Sequence, residues 1–170
     1  MPLPSDTREF ISRWRKKRDG YDMEKLEDYF DRFFTSYVLY NFLYELVTVQ
    51  EGYKFDGDQE AAVKAVRKFL GARTLFNDEV LHRESMQLVD LIGKRTFYVR
   101  DSVWDEKRVA KLKTQDAEQW SKGLLEVVYK IRCNTFHGQK RFEEGQRQIL
   151  NPCIGALERL NDRLIEKLDA

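Results

Sequence analysis

Apolar residues recur at steps of three and four along most of this chain, the spacing that gathers them on one face of an α-helix. Phe30, Phe33, Phe34, Tyr37, Val38, Tyr40, Leu43, Tyr44 and Val47 carry the pattern through a predicted helix from about Met23 to Gln50. Asp22 is its candidate N-terminal cap, and Gly52 lies just past its end. Ala62, Val63, Val66, Phe69 and Leu70 mark a second helix over 60–70, stopped by Gly71. A third is predicted over 77–92. From Gly93 to Lys113 the periodicity weakens, and the stretch, with Thr96-Phe97-Tyr98-Val99 inside it, reads as an irregular connection. Thr114 or Asp116 then opens a helix with Trp120, Leu124, Val127, Val128 and Ile131 in register and Gly138 beyond it. The last helix is predicted over 141–168, carrying Phe142, Ile149, Leu150, Ile154, Leu157, Leu160, Leu164, Ile165 and Leu168. Pro152 should bend it near Gln148, because proline removes a main-chain donor and crowds the preceding turn.

Short turns between long helices make neighbours antiparallel, so the expected fold is all-α, an up-down helical bundle of roughly four to six helices. The 170 residues suit a single domain with one core. That domain is read as residues 1–170, with a core over 22–168 and an N-terminal extension over 1–21. Prolines occur only at 2, 4 and 152, and no Gly- or Ser-rich stretch resembles a linker.

Charge narrows the function classes. Thirty Lys and Arg against 29 Asp and Glu leave a net charge of +1, so no global field attracts a polyanion, and any nucleic acid must be met by a local patch. Cys133 and Cys153 stand far apart without a second pair, which points to a reduced, cytoplasmic setting and no structural metal. No cofactor is called for. The first residues lack the apolar run of a signal peptide, and no window approaches a membrane span, so no membrane partner is expected.

Two places carry polar residues where chemistry could sit. On the aromatic helix, aromatics surround the whole circumference, which predicts burial on more than one side, in the bundle centre or in a dimer seam. Asn41 and Glu45 lie four apart on one face of it. They either hydrogen-bond within the core or reach its edge, or they line a cleft opposite Arg132 and His137. The second place is Arg132-Cys133-Asn134-Thr135-Phe136-His137-Gly138, at the end of the penultimate helix. A five-residue step leaves Arg132 and His137 about 140° apart on an unbroken helix, so they converge only if the helix ends near Phe136. Histidine exchanges a proton near neutral pH, and the guanidinium fork matches phosphate oxygens. The bland alternative is a C-terminal histidine on the helix dipole and an ordinary surface arginine.

Arg132, four residues and then His137, with polar Asn134 between them, resembles the signature of the HEPN superfamily of small helical-bundle domains. The likeness covers about residues 114–168, and Tyr40-Asn41-Phe42-Leu43-Tyr44-Glu45 is similar to the aromatic first core helix of some subfamilies. The resemblance implies a metal-independent endoribonuclease in a toxin–antitoxin or phage-defence setting, with RNA as substrate and a homodimer as the working unit. It implies His137 as proton-transfer group, Arg132 as phosphate clamp, and Asn134 as the residue that orients one of them or holds the ribose. Lys130, Lys140 and Arg141 are the cations placed by sequence to meet RNA, with Asn41 and Glu45 as further substrate contacts. Arg147 is also close in sequence. A separate basic run, Arg13 to Arg18 around Trp14, reads as a solvated helix end. Two other functions stay open: a non-catalytic module that binds a nucleotide, an RNA or a protein partner such as an antitoxin, and a helical scaffold in which the motif is coincidence.

Overall fold

A computed structural model describes residues 3–93, 102–136 and 144–170, with the side chains of 102–104 left aside. The described chain is all-helical. Its segments are α1 (Ser5–Asp19), α2 (Leu26–Gln50), a composite α3, α4 (Ala72–Phe76), α5 (Glu79–Gly93), α6 (Ser102–Leu112), α7 (Ala117–Phe136) and α8 (Gly145–Leu168). The composite α3 runs Asp58–Glu60, then a π-helical turn Ala61–Ala65, then Val66–Leu70. These are eight helices rather than four to six. The additional ones are α1, α4 and α6, of which α4 is only five residues long.

Helix α2 is the hub. It packs on α1, α3 and α8, while α8 also packs on α5, and α7 lies against α6, α4 and the π turn. Phe33, Leu39, Leu43, Tyr44 and Val47 of α2 are completely buried. Burial on more than one side of the helix occurs within one protomer, while the face carrying Val38, Asn41, Phe42 and Glu45 stays partly open. The helix starts later than the pattern implied. Asp22 caps only a turn, accepting from the Glu24 N–H (3.2 Å), and Met23 takes a left-handed φ of 66°, so helical geometry cannot begin there. The Asp28 carboxylate then accepts from the Lys25 N–H (3.1 Å) and fixes the real start.

Helix α5 begins where a buried carboxylate satisfies its first donors. Asp78, 3% exposed, accepts from the Val80 and Leu81 N–H groups at 3.1 and 3.2 Å. Its other oxygen receives Arg159 and Arg163 of α8, each at 2.8 Å, so one residue caps α5 and ties it to the last helix. Asp116 opens α7 in the same way, accepting from Glu118 and Gln119.

The stretch expected to be an irregular connection contains α6. Its inward face carries an ion pair, Asp105 with Arg108 at 3.0 Å, with both residues under one-tenth exposed, and that pair interrupts the apolar periodicity a sequence reading depends on. Gly123 explains how closely α7 approaches it: a Cβ there would meet the Lys111 Cβ at 2.7 Å. Gly155 of α8 likewise faces Glu84 of α5, at 2.9 Å. Pro152 lies buried inside α8, where it leaves the Gln148 carbonyl without its usual donor. Thr96–Val99, Gly138 and Phe142 lie outside the described residues.

The segment read as an N-terminal extension is helix α1, docked on α2 through Ile11, with Leu3 also in the core. The basic run in it is not simply solvated. Arg18 is 6% exposed and pairs with Asp19 at 2.7 Å and with Glu158 at 3.7 Å, while Arg15 reaches Asp162 at 3.3 Å. Among the described residues, no helix is long and apolar enough to cross a membrane.

Candidate functional site

Helices α1, α2 and α7 meet around a cleft of about 290 Å³. Residues 37, 38, 41, 42 and 45 share one face of α2 and form its floor, because steps of three and four return to the same side of a helix. Phe10 of α1 closes one side, and Arg132 and Phe136, four apart on α7, close the other. The aromatic rings interlock: Phe10 lies 4.2 Å from Phe42 between centroids, and Phe136 packs edge-on at 4.1 Å against Phe34.

Arg132 stands with its guanidinium carbon 4.9 Å from the Phe136 ring and 5.2 Å from that of Tyr37, cation–π distances that hold the head group on aromatic faces. Its side chain is 23% exposed, and one guanidinium nitrogen lies 3.9 Å from the Asp58 carboxylate. Among the described residues, the buried Nε atom has no hydrogen-bond partner, nor has the hydroxyl of the neighbouring Tyr37. Burial pushes the Tyr37 hydroxyl well above its ordinary pKa, partly offset by Arg132, so it stays protonated.

Asp58 is the residue the sequence reading missed. It accepts hydrogen bonds from two tyrosines of two helices, Tyr44 of α2 and Tyr129 of α7, the latter at 3.0 Å. Burial, and then the carboxylate itself, raise the pKa of both phenols, so both remain donors. The Tyr44 hydroxyl also lies 2.5 Å from Asn41 Oδ1, and the Asn41 amide donates to Glu45 at 3.0 Å. A continuous polar chain thus runs from Glu45 through Asn41, Tyr44 and Asp58 to Arg132. The π turn next to Asp58 is braced from α2, where the buried Tyr40 hydroxyl donates to the Ala62 carbonyl at 2.6 Å. In sequence, Asp58 is only an acid before a helical pattern, and its partners are 14 and 71 residues away.

Of the residues singled out by sequence, Arg132, Asn41 and Glu45 come together in this cleft. Asn41 and Glu45 hydrogen-bond to each other at an exposed position rather than inside the core, and both line the cleft with Arg132. Asn134 is 5% exposed and is not among the cleft residues, as its two-residue step from Arg132 turns it about 200° around α7. Lys130 points elsewhere, to Gln59 at 3.3 Å. Arg147 sits over the Tyr29 ring at 5.0 Å, away from the cleft. His137, Lys140 and Arg141 lie outside the described residues; His137 follows Phe136 directly in the chain.

Compared with known proteins, the sequence matches no family model, no curated protein and no solved structure.

Proposed function

We propose that this protein is a metal-independent endoribonuclease of the HEPN type, with Arg132 and His137 as the residues that act on the RNA phosphate. The observation that carries the reading is the setting of Arg132: a permanent cation one turn from the described end of α7, on the wall of a concave cleft that also offers Asn41 and Glu45. In this mechanism His137 removes the proton from a ribose 2′-hydroxyl, and the 2′-oxygen forms a bond to the adjacent phosphorus. Arg132 neutralises the charge that builds on the non-bridging oxygens. The 5′-oxygen leaves with a proton from a second acid, giving a 2′,3′-cyclic phosphate and a 5′-hydroxyl. One histidine cannot start as both base and acid, so the reading includes a homodimer that brings two copies of His137 to one phosphate. Lys130, Lys140 and Arg141 would meet flanking phosphates, and Asn134 would steady α7 from within. A toxin–antitoxin or phage-defence role, with an antitoxin partner, belongs to the same proposal.

One observation favours a second reading, a non-catalytic module for a nucleotide, RNA or protein partner. Glu45 and Asp58 stand beside Arg132, so the described cleft carries no excess of positive charge. Incubation of the purified protein with labelled RNA in EDTA separates the two. The nuclease reading expects cleavage of RNA but not of DNA, reduced at least about a hundredfold in both Arg132→Ala and His137→Ala with the folded state intact. Binding without cleavage transfers the function to the module, and full activity in either variant removes the mechanism.

A further inference from the structure

The cleft beside Arg132 is divided in a way that phosphate chemistry does not require. One part is aromatic: Phe10, Phe42 and Phe136 present rings to it, and Phe136 remains 38% exposed, a large apolar surface left open to solvent. The other part is polar and lies on α2, where Asn41 is half-buried and Glu45 exposed. Among the described residues Glu45 has one hydrogen-bond partner, the Asn41 amide at 3.0 Å. An ionised carboxylate accepts about four hydrogen bonds and donates none, so most of its capacity faces the opening. Asn41 Oδ1 also lies against the Tyr44 hydroxyl at 2.5 Å, a contact that limits where the amide can sit.

Partly open aromatic rings beside an acceptor edge are what recognise an unstacked nucleobase: a ring stacks, and the edge is read by hydrogen bonds. We infer that this cleft is a base-recognition pocket, in which Glu45 selects guanine. An acceptor-only carboxylate needs donors on the base. Guanine offers two side by side, N1–H and the N2 amino group, and the two oxygens can take both. Cytosine and adenine offer one amino group next to an acceptor, and uracil one N–H between two carbonyls, so each sets an acceptor against Glu45. Arg132, on the facing wall, is then placed for the phosphate attached to that nucleotide. As a subsite for RNA, the pocket rests on the ribonuclease reading, yet its selectivity can be measured on its own.

The probes are guanosine, inosine, adenosine, cytidine and uridine 5′-monophosphates, titrated into the full-length protein by NMR or calorimetry, together with cleavage of RNAs differing at a single base. Guanosine monophosphate should bind at least about tenfold tighter than the others, including inosine monophosphate, which lacks only the amino group. In Glu45→Gln, an exposed position where the fold tolerates the change, that margin should vanish. Equal binding of all five nucleotides overturns the pocket, as does an unchanged preference in Glu45→Gln. An enzyme that cuts RNA without regard to guanine also overturns it while leaving the nuclease standing. Guanosine selectivity without any cleavage upholds the pocket and removes the nuclease.

Discussion

Replacing Asp78 with alanine should be among the more damaging changes to a single polar side chain in the described protein. The carboxylate does three jobs from a nearly solvent-free position: it caps α5 through two main-chain N–H groups and holds Arg159 and Arg163 of α8. Loss of a side-chain cap costs about 1 kcal/mol. The arginine side chains are 27% and 33% exposed, so water screens each pair and roughly 1 kcal/mol apiece is reasonable. Together these give about 3 kcal/mol, or a fall in Tm of roughly 6–12 °C for a chain of this size. Asp78→Asn keeps an oxygen for the cap and should lose about 2 kcal/mol. Burial pushes the Asp78 carboxyl up, but Arg163, the Leu81 N–H and Arg159 outweigh it, and the net pKa is lowered. A lowered carboxylate pKa contributes stability that is complete above the unfolded value of about 3.9 and is lost as pH falls through the folded one. The gap between wild type and Asp78→Ala, measured by urea denaturation, should therefore be constant near neutrality and narrow below about pH 4. A neutral-pH loss under about 0.5 kcal/mol, or a gap that widens on acidification, would refute this account of how α5 and α8 are joined.

Gly123→Ala gains about 1 kcal/mol of helix propensity but drives a methyl group to 2.7 Å from Lys111 Cβ. Overpacking of that kind costs about 1–3 kcal/mol, so a net destabilisation of about 1 kcal/mol should appear by thermal melting, whereas Gly145→Ala, with no atoms of the described residues within 4 Å, should melt at or slightly above wild type. Asp58→Ala leaves the Tyr44 and Tyr129 hydroxyls without their shared acceptor and should cost about 2–3 kcal/mol, whereas Tyr129→Phe should cost about 1 kcal/mol. Equal effects of these two substitutions in chemical denaturation would count against Asp58 as the common anchor.

Helices whose buried faces are mostly apolar, with only small or amide polar residues among them, were legible in the sequence. Helix α2, the 60–70 stretch, α7 and α8 fall close to the expected boundaries, as their spacing is set mainly by burial of apolar side chains. Helix α6 was hidden because Asp105 and Arg108 occupy inward positions as a neutralised pair, which a hydrophobicity pattern counts as solvent-facing. Helix α1 was hidden because charged residues crowd its apolar positions, and Arg18 itself is buried against Glu158. At the site, the pairing of Asn41 with Glu45 follows from a four-residue step and could be read directly. Asp58 could not be, since its role exists only once two tyrosines distant in sequence converge on it.

The π-helical turn from Ala61 to Ala65 holds one residue more than an α-helix would place in the same rise. That surplus resets the angular phase of everything before it. In a regular helix packed on the same Val66–Leu70 base, Asp58 would be swung about 100° around the axis, off the two phenols that now share it. The irregularity thus acts as an indexing step: it lets one helix keep its apolar side against α2 while aiming an acid at two phenols and the Arg132 guanidinium beside them.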